Sequence, residues 1–339
     1  MKETEITACV LPEIRKAAGV SDVRIGGLRR MTGGSVREIW AFDAEIIRPD
    51  APGERRPLVF LLFRSQGPEG KLSPDDEFRL LEAAFAAGVP VPRPLCLGSA
   101  PGGERFYVMA RIAGETIGGR IVREERYARA RAALPAQIGA AAAALHRVPL
   151  DGPLEALAGP PSGESPAAWE IRRLEDLYRM VTPDPHPVFE LALRWLKANL
   201  PAGTPRALVH GDFRIGNVIV DETGLRAILD WELAHAGDPM EDLGWFCVRS
   251  WRFRAVHLPA GGVGTREALF EAYAGASGAP VDPARVRFWE IYGNLRWGVL
   301  TLVQARFFLG GASNSVEPAS IGRRTAETEW ELLNLLEKA

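Results

Sequence analysis

The residues best suited to chemistry in this 339-residue sequence are Asp212, Asn217 and Asp230, because their spacing predicts that three oxygen-bearing side chains meet at one point. Residues 218–221 have the pattern of a strand and residues 225–229 that of its return, joined by a tight turn. Asn217 enters this hairpin and Asp230 leaves it, so their side chains should emerge about 5 Å apart at its open end. Asp212 precedes Asn217 by five positions and is within reach of the same point.

These three residue types fit phosphoryl transfer. Magnesium prefers oxygen ligands, so the amide of Asn217, the carboxylate of Asp230 and the phosphates of a nucleotide would satisfy it. Asp212 would then act as general base and accept the proton of an acceptor hydroxyl. The alternative is a solvated loop followed by an ordinary hairpin, in which Asp212 is a turn residue and Asp230 ends a strand.

Short motifs around these residues also carry a resemblance to a known family. They are His210-Gly211-Asp212, Asn217, Ile228-Leu229-Asp230-Trp231 and Gly237-Asp238-Pro239. Together they resemble the aminoglycoside phosphotransferase family, in particular its phosphotransferase-like branch, which includes kinase-like domains joined to acyl-CoA dehydrogenases. The resemblance implies an α+β, two-lobed protein-kinase-like fold with a small β-rich N-lobe and a larger, mainly helical C-lobe.

The resemblance further implies a role for each motif residue. Asp212 is the catalytic base, Asn217 and Asp230 hold Mg²⁺, and ATP is the phosphate donor. His210 supports the site, and Asp242 braces the catalytic loop from the following helix. By its position alone, the alternative for Asp242 is a first-turn carboxylate favoured by the helix dipole.

Length and patterning suit two lobes rather than one. We expect a nucleotide-binding lobe at residues 1–113 and a catalytic and substrate-binding lobe at residues 114–339. The first begins with a helical pattern over residues 3–18, despite Pro12. The second begins with an alanine-rich helix over residues 127–146.

A glycine-rich turn follows the first strand of the N-lobe. Gly33, Gly34 and Ser35 can point backbone N–H groups at phosphates without a side-chain clash. A plain hairpin turn is the alternative from the residues alone. The resemblance favours a nucleotide loop here.

A nearly continuous apolar strand over residues 58–64 ends in Arg64. Such a strand is typically buried on both faces, so we expect the charge at its end to have a functional role. By position Arg64 matches the lysine that binds nucleotide phosphates in kinase-like folds, and a guanidinium can hold phosphate oxygens in bidentate fashion. The resemblance pairs it with Glu77, in a helix capped by Ser73. Glu82 is the second candidate partner, and the alternative is that both acids face water.

The strand predicted at residues 106–112 breaks at Gly114. By resemblance this segment is the hinge between the lobes. The backbone around Ala110 and Ile112 would then receive the edge of the adenine ring.

Composition excludes several classes of function. The net charge of -2 and the lack of a Lys/Arg run argue against nucleic acid as a partner. Three widely spaced cysteines favour neither a disulfide framework nor a zinc site. The start lacks the apolar stretch of a signal peptide, and charges interrupt every apolar run, so we expect no membrane segment and a cytoplasmic location.

The acceptor must be inferred from the region after Asp242, where aromatic residues alternate with arginines. Aromatics at helical spacing are more typical of a core, but Arg249, Arg252, Arg254 and Arg296 favour a small-molecule hydroxyl acceptor with an apolar body and an anionic end. A hydroxyacyl compound or hydroxy acid fits, and the resemblance implies the same. The alternatives are an aminoglycoside or other antibiotic, whose positive charge would call for many carboxylates, and a non-catalytic nucleotide-binding module.

Overall fold

The computed structural model describes residues 1–31, 37–49, 51–64, 71–182, 184–203, 206–312 and 315–339. Its first part consists of α1 (Glu3–Ala18), β1 (Asp22–Arg30), β2 (Arg37–Arg48), β3 (Ala51–Phe63), α2 (Pro74–Ala86), β4 (Pro94–Ser99) and β5 (Arg105–Ala110). The strands form one antiparallel sheet in the order β1-β2-β3-β5-β4. The helix predicted at residues 3–18 is confirmed, with Pro12 inside it.

Strand β3 gives the sheet two different buried faces. Leu58, Phe60 and Leu62 pack with the apolar residues of α1, whereas Val59 and Leu61 join the core shared with α2 and the rest of the chain. Successive side chains of a strand point to opposite faces, so the odd-numbered residues of β3 face the second part of the chain and the even-numbered ones face α1. Whether a charged residue at the end of this strand has an odd or an even number therefore decides which face of the sheet its side chain lies on.

Helices dominate the second part of the chain. Its elements are α3 (Gly118–Arg123), α4 (Ala128–His146), α5 (Pro166–Val181), α6 (Pro187–Ala198), β6 (Ala207–Val209), β7 (Val218–Asp221), β8 (Gly224–Ile228), β9 (His235–Gly237), α7 (Met240–Phe246), α8 (Arg266–Ser277), α9 (Pro283–Leu309), α10 (Glu317–Gly322) and α11 (Thr325–Leu336). Strand β6 pairs with β9, and β7 with β8. The fold is α+β, with a β-rich N-terminal region and a helical C-terminal region. We propose the boundary between the two lobes near Ala113, because Glu115 already bridges to Val220 of β7.

None of the helices in the described ranges is both long and apolar enough to cross a lipid bilayer. The longest, α9, spans Pro283–Leu309 and carries several arginines. Its buried residues include Phe288, Trp289 and Tyr292, so this helix serves as a core element of the second part.

Helices α4 and α8 approach each other so closely at Gly139 that no side chain fits there. A Cβ at this position would lie 2.7 Å from the carbonyl oxygen of Leu269 and 2.8 Å from the backbone nitrogen of Tyr273. The contact brings the Tyr273 hydroxyl to 2.9 Å from Nδ1 of His146. Because Nε2 of His146 lies 3.1 Å from Asp242, this helix pair supports a residue of the candidate site.

Gly139→Ala is expected to destabilise the fold by about 1–3 kcal/mol, because backbone atoms of α8 would have to move. Gly275→Ala is the matched control, since no atom lies within 4 Å of a Cβ added at that helical position. Alanine there should stabilise the fold by about 0.5–1 kcal/mol through helix propensity. Urea unfolding of the two variants measures both effects, and equal losses at the two positions would contradict the packing argument.

Candidate active site

The loop after β6 and the β7–β8 hairpin bring the three predicted residues together. Asp212 lies three residues beyond the end of β6 at Val209, and Asn217 ends the short 3-10 turn that leads into β7. The carbonyl of Asn217 accepts the N–H of Leu229 at 2.8 Å, next to Asp230. The predicted hairpin is confirmed, and Asn217 and Asp230, which flank its open end, line the same cleft.

The buried carboxylate of Asp242 holds the loop that carries Asp212. Its Oδ2 accepts the backbone N–H of His210 at 2.8 Å, and its Oδ1 accepts that of Gly211 at 3.1 Å. Burial alone would raise the pKa of Asp242, but the contacts with His146 and His210 outweigh it, so the pKa is lowered from its ordinary value. The carboxylate therefore stays charged and ties α7 to the loop.

Two neighbours of Asp212 make the shape of this loop possible. Gly211 has φ of 78°, and a Cβ there would lie 2.4 Å from a facing carbonyl oxygen, so the position requires glycine. His210 accepts the N–H of Asp212 at Nδ1 (3.2 Å), so Nε2 carries the proton and donates to the carbonyl of Leu229 at 2.9 Å. The imidazole thereby links the loop to the residue that precedes Asp230.

Three side-chain donors orient the Asp212 carboxylate. Trp245 Nε1 donates to Oδ1 at 2.7 Å, and Asn217 Nδ2 donates to Oδ2 at 2.6 Å. Nε of Arg214 lies 3.1 and 3.2 Å from the two oxygens. The Asp212 side chain is 17% exposed, so it is fixed in direction and still reachable by a ligand.

Asn217 and Asp230 have the oxygen chemistry that suits Mg²⁺. The Asn217 amide nitrogen is engaged by Asp212, which leaves Oδ1 for a metal. Burial in the cleft and the nearby Glu232 raise the pKa of Asp230, and a bound cation would oppose that shift. Within the described ranges, no cluster of three or more His, Cys, Asp or Glu side chains could hold a metal alone, so phosphates and water would have to complete the coordination.

The cation that meets Glu77 is Arg37, at the start of β2, and the expected pair between Arg64 and Glu77 is not formed. Arg37 donates to both carboxylate oxygens of Glu77, at 3.0 and 2.9 Å. Arg64 binds Glu38 instead, with 58% of its side chain exposed. Arg64 follows the even-numbered residues of β3, which face α1, whereas Arg37 is the cross-strand partner of Phe63 and shares its face.

Arg37 lies among three carboxylates contributed by both parts of the chain. Besides binding Glu77, it donates to Glu232 at 2.9 Å and lies 3.7 Å from Asp230. Lys71 binds the other oxygen of Glu232 at 2.6 Å. Burial raises the pKa of Glu77 to about 7, although the charge of Arg37 opposes this. Two cations thus face three acids, an arrangement that a divalent cation would complement.

A cleft of about 390 Å³ runs between the sheet and these charged residues. Its apolar wall includes Ile39, Val59, Leu61, Met109 and Ile228.

Ala110 and Ile112 also line this cleft. The N–H of Ala110 donates to the carbonyl of Arg93 at 2.8 Å, and the N–H of Ile112 has no partner within the described ranges. The predicted loop residues Gly33, Gly34 and Ser35 lie outside the described residues.

Sequence reasoning did not identify Arg37, Glu232 or Trp245 as neighbours of the predicted residues, and it expected Arg296 at the acceptor rather than at the loop of Asp212. The sequence did contain a signal that places Arg37 and Glu232 near the site. Arg37 is two residues from Ile39 in an alternating strand and so shares its face, and Glu232 follows Asp230 by two residues. No local signal exists for Trp245, or for Arg296, which lies over the Trp245 ring at 4.7 Å and donates to the Gly211 carbonyl at 2.7 Å. Those two residues reach the loop only through tertiary packing.

Solved structures with the same fold include several phosphotransferases. A protein from Ralstonia eutropha assigned as an aminoglycoside phosphotransferase has a TM-score of 0.69 and 22% identity, covering 90% of this chain and 92% of that one. The GDP complex of aminoglycoside 2'-phosphotransferase-IIIa has a TM-score of 0.60 and 13% identity, covering 95% and 98%. A thermostable mutant of aminoglycoside phosphotransferase APH(4)-Ia, bound to AMP-PNP and hygromycin B, has a TM-score of 0.55 and 19% identity, covering 90% and 94%. At these identities the similarity shows the fold alone.

Curated relatives are similar over most of this chain. Acyl-CoA dehydrogenase family member 11 of Gallus gallus is 29% identical over 328 residues, which cover 84% of this chain and 40% of that protein. IBR3 of Arabidopsis thaliana, assigned as an acyl-CoA dehydrogenase, is 30% identical over 310 residues, covering 80% and 35%. The chain therefore spans about 40% or less of the length of these two relatives.

The family profile described as "Phosphotransferase enzyme family" (APH) matches residues 51–289, which is more than half of the chain. That range includes the loop that carries Asp212, the β7–β8 hairpin and Asp242. On this evidence, the chain belongs to the APH phosphotransferase enzyme family.

Proposed function

We propose that this chain is an ATP- and Mg²⁺-dependent phosphotransferase that moves the γ-phosphate to a hydroxyl of a small molecule. The observation that carries the proposal is the Asp212 carboxylate, which Trp245 and Arg214 orient and which Asn217 joins to the candidate metal site. Phosphoryl transfer needs such a base beside the phosphates, because positioning and charge neutralisation supply most of the catalysis. The nucleotide complexes of the fold neighbours, with GDP and with AMP-PNP, support a nucleotide in the cleft.

In the proposed reaction Asp212 accepts the proton of the acceptor hydroxyl while that oxygen attacks the γ-phosphorus of ATP. The bond between this phosphorus and the β–γ bridging oxygen breaks, and ADP leaves with the electron pair. Trp245 and Arg214 keep the carboxylate aimed at the acceptor. Mg²⁺, held by Asn217 Oδ1 and Asp230, would supply charge neutralisation on the phosphates.

We assign the nucleotide phosphates to Arg37 rather than to Arg64. Arg37 lines the cleft, is held by Glu77 and reaches the neighbourhood of Asp230, whereas Arg64 binds a carboxylate on the opposite face of the sheet. A cation bound at Asp230 would free Arg37 to exchange a carboxylate partner for phosphate oxygens in the same bidentate geometry. The remaining proposed nucleotide contacts are the backbone of Ala110 and Ile112 and the loop residues Gly33, Gly34 and Ser35.

As acceptor we propose a hydroxy acid or a hydroxyacyl compound. The similarity to proteins named acyl-CoA dehydrogenases supports this class, since those names refer to acyl compounds. An aminoglycoside or other antibiotic is the second candidate, because one fold neighbour was solved with hygromycin B. A non-catalytic nucleotide-binding module is less well supported, because the oriented Asp212 has no use in binding alone.

We also propose that the protein acts in the cytoplasm. Cys9, Cys96 and Cys247 are free thiols. Reduced, unpaired cysteines are typical of proteins in a reducing compartment.

Asp212→Asn should reduce kcat on the order of a hundred- to ten-thousand-fold, because the amide cannot accept the hydroxyl proton. The affinity for Mg-ATP should stay within about twofold, since Asp212 acts on the acceptor rather than on the nucleotide. ADP release against a panel of hydroxyacyl compounds, hydroxy acids, sugars and aminoglycosides measures kcat, and calorimetry measures nucleotide binding. Asp176→Asn, at an exposed position of α5, is the matched control. Unchanged turnover in Asp212→Asn would show that another group is the base.

Arg37→Met should weaken Mg-ATP binding roughly tenfold or more, because two charge-assisted hydrogen bonds to phosphate are lost. Loss of the Arg37 charge would also leave the buried Glu77 carboxyl protonated near neutral pH. Arg64→Met is the comparison and should leave the affinity nearly unchanged. Calorimetric titration of both variants with Mg-ATP, with thermal unfolding as a check on folding, decides between them. A loss confined to Arg64→Met would restore Arg64 as the phosphate-binding residue.

A further inference from the structure

A second cavity, of about 480 Å³, lies in the helical part of the chain, between the segment that follows α7 and the helices α9 and α11. This volume is in the range of small-molecule pockets, about 300–1,000 Å³. Residues that line it include Arg249, Ser250, Phe253, Arg254, Asn294 and Arg324.

The wall of this cavity lies next to the loop that carries the proposed base. Phe253 and Ile215 both lie against the first glycine of α3, where an added Cβ would come within 2.6 and 3.0 Å of them, and Ile215 belongs to that loop. Trp251, two residues before Phe253, contacts the Arg214 guanidinium at 5.0 Å and the Trp245 ring at 5.3 Å. Since those two residues donate to Asp212, Trp251 links the segment that forms the cavity wall to the proposed base.

Positive charge is in surplus at this cavity. Arg254 makes no hydrogen bond or ion pair with any part of the chain that the structure describes. Arg324 pairs with Glu327 at 3.0 Å, and the Glu327 side chain is 59% exposed, so water weakens that pair. Arg249 lies 3.3 Å from Glu331. An anionic ligand group can therefore engage Arg254 directly and compete for Arg324.

The other two arginines expected near the acceptor serve the fold instead. Arg252 is buried and donates to Glu290 at 2.8 Å. Arg296 donates to the Gly211 carbonyl at 2.7 Å and so supports the catalytic loop. Of the four arginines that the sequence associated with the acceptor, Arg249 and Arg254 line this cavity, together with Arg324 from a distant part of the sequence.

The backbone of the cavity wall is held in an unusual conformation. Phe253 and Arg254 have φ of 42° and 78°, and such non-glycine conformations cost about 1–3 kcal/mol each. In the described part of the chain the other non-glycine residue with positive φ is Asp230, the candidate metal ligand. Strain of this kind persists where the surroundings enforce it, and it is concentrated at ligand sites.

We propose that this cavity is the subsite for an anionic group of the acceptor, a carboxylate or a phosphate, bound by Arg254 and Arg324. The apolar side chain of Phe253 contacts the body of the acceptor, and the hydroxyl reaches the base past Trp251. The assignment rests on the proposed phosphotransferase function. It extends that function by stating which end of the acceptor is recognised and by which residues.

The test compares matched acceptors on the wild-type protein and on R254Q/R324Q. The acceptors are ω-hydroxy acids of increasing length, the corresponding hydroxyalkyl phosphates and the uncharged amides of the same acids. In the wild type we expect the charged acceptors to have a KM about tenfold or more below that of the amides, and in R254Q/R324Q we expect this advantage to disappear. The control is R323Q, next to Arg324 and exposed but outside the lining, which should retain the advantage.

A binding measurement separates failure of this proposal from failure of the proposed function. Saturation-transfer NMR reports binding of the same hydroxy acids, phosphates and amides without any turnover. If no acceptor is phosphorylated but the charged ligands bind the wild type and not R254Q/R324Q, the phosphotransferase proposal fails and the anion subsite stands. If charged and uncharged ligands bind and react alike, or if R254Q/R324Q keeps the preference, the subsite proposal is overturned. Preference for the phosphates over the carboxylates, or the reverse, identifies the anionic group.

Discussion

The candidate site depends on one buried carboxylate, that of Asp242, which accepts hydrogen bonds from two consecutive backbone N–H groups. This arrangement requires a tight turn at Gly211, whose positive φ and close contact exclude any side chain. The turn presents Asp212 to Trp245 and Asn217, which orient it. A buried carboxylate without such donors would be destabilising by several kcal/mol, so the loop and the carboxylate hold each other in place.

The second organising feature is the charge cluster around Arg37. Glu77 belongs to the β-rich part of the chain, whereas Asp230 and Glu232 follow the hairpin of the helical part, and all three lie within 4 Å of the same guanidinium. The two parts therefore meet at a point where nucleotide phosphates and a metal would also bind. In the proposed mode of binding both ligands would exchange contacts with this cluster, so nucleotide binding and the relative position of the two parts should be energetically linked.

The sequence predicts the features that depend on residues close together along the chain. These are the hairpin, the helix capped by Ser73 and the loop that carries Asp212. Contacts between residues that are distant in the sequence could not be predicted, because they depend on how the elements pack. The partner of Glu77 depends on which face of the sheet α2 covers, and that is settled by packing between elements: Arg37 lies on the face of Val59 and Leu61, whereas Arg64 follows the residues that face α1. Trp245 reaches Asp212, and Arg296 reaches its loop, only after α7 and α9 have packed, and no local pattern records that contact.

³¹P NMR of the wild-type protein with Mg-ATP and a responsive hydroxy acid tests most directly whether this chain transfers phosphate to a hydroxyl. We expect a new phosphomonoester resonance that grows in proportion to ADP, because the γ-phosphate moves to the acceptor hydroxyl. ADP accompanied solely by inorganic phosphate would show that water, and not an alcohol, is the acceptor. A spectrum that stays unchanged across the acceptor panel while nucleotide remains bound would contradict the account and favour a binding module.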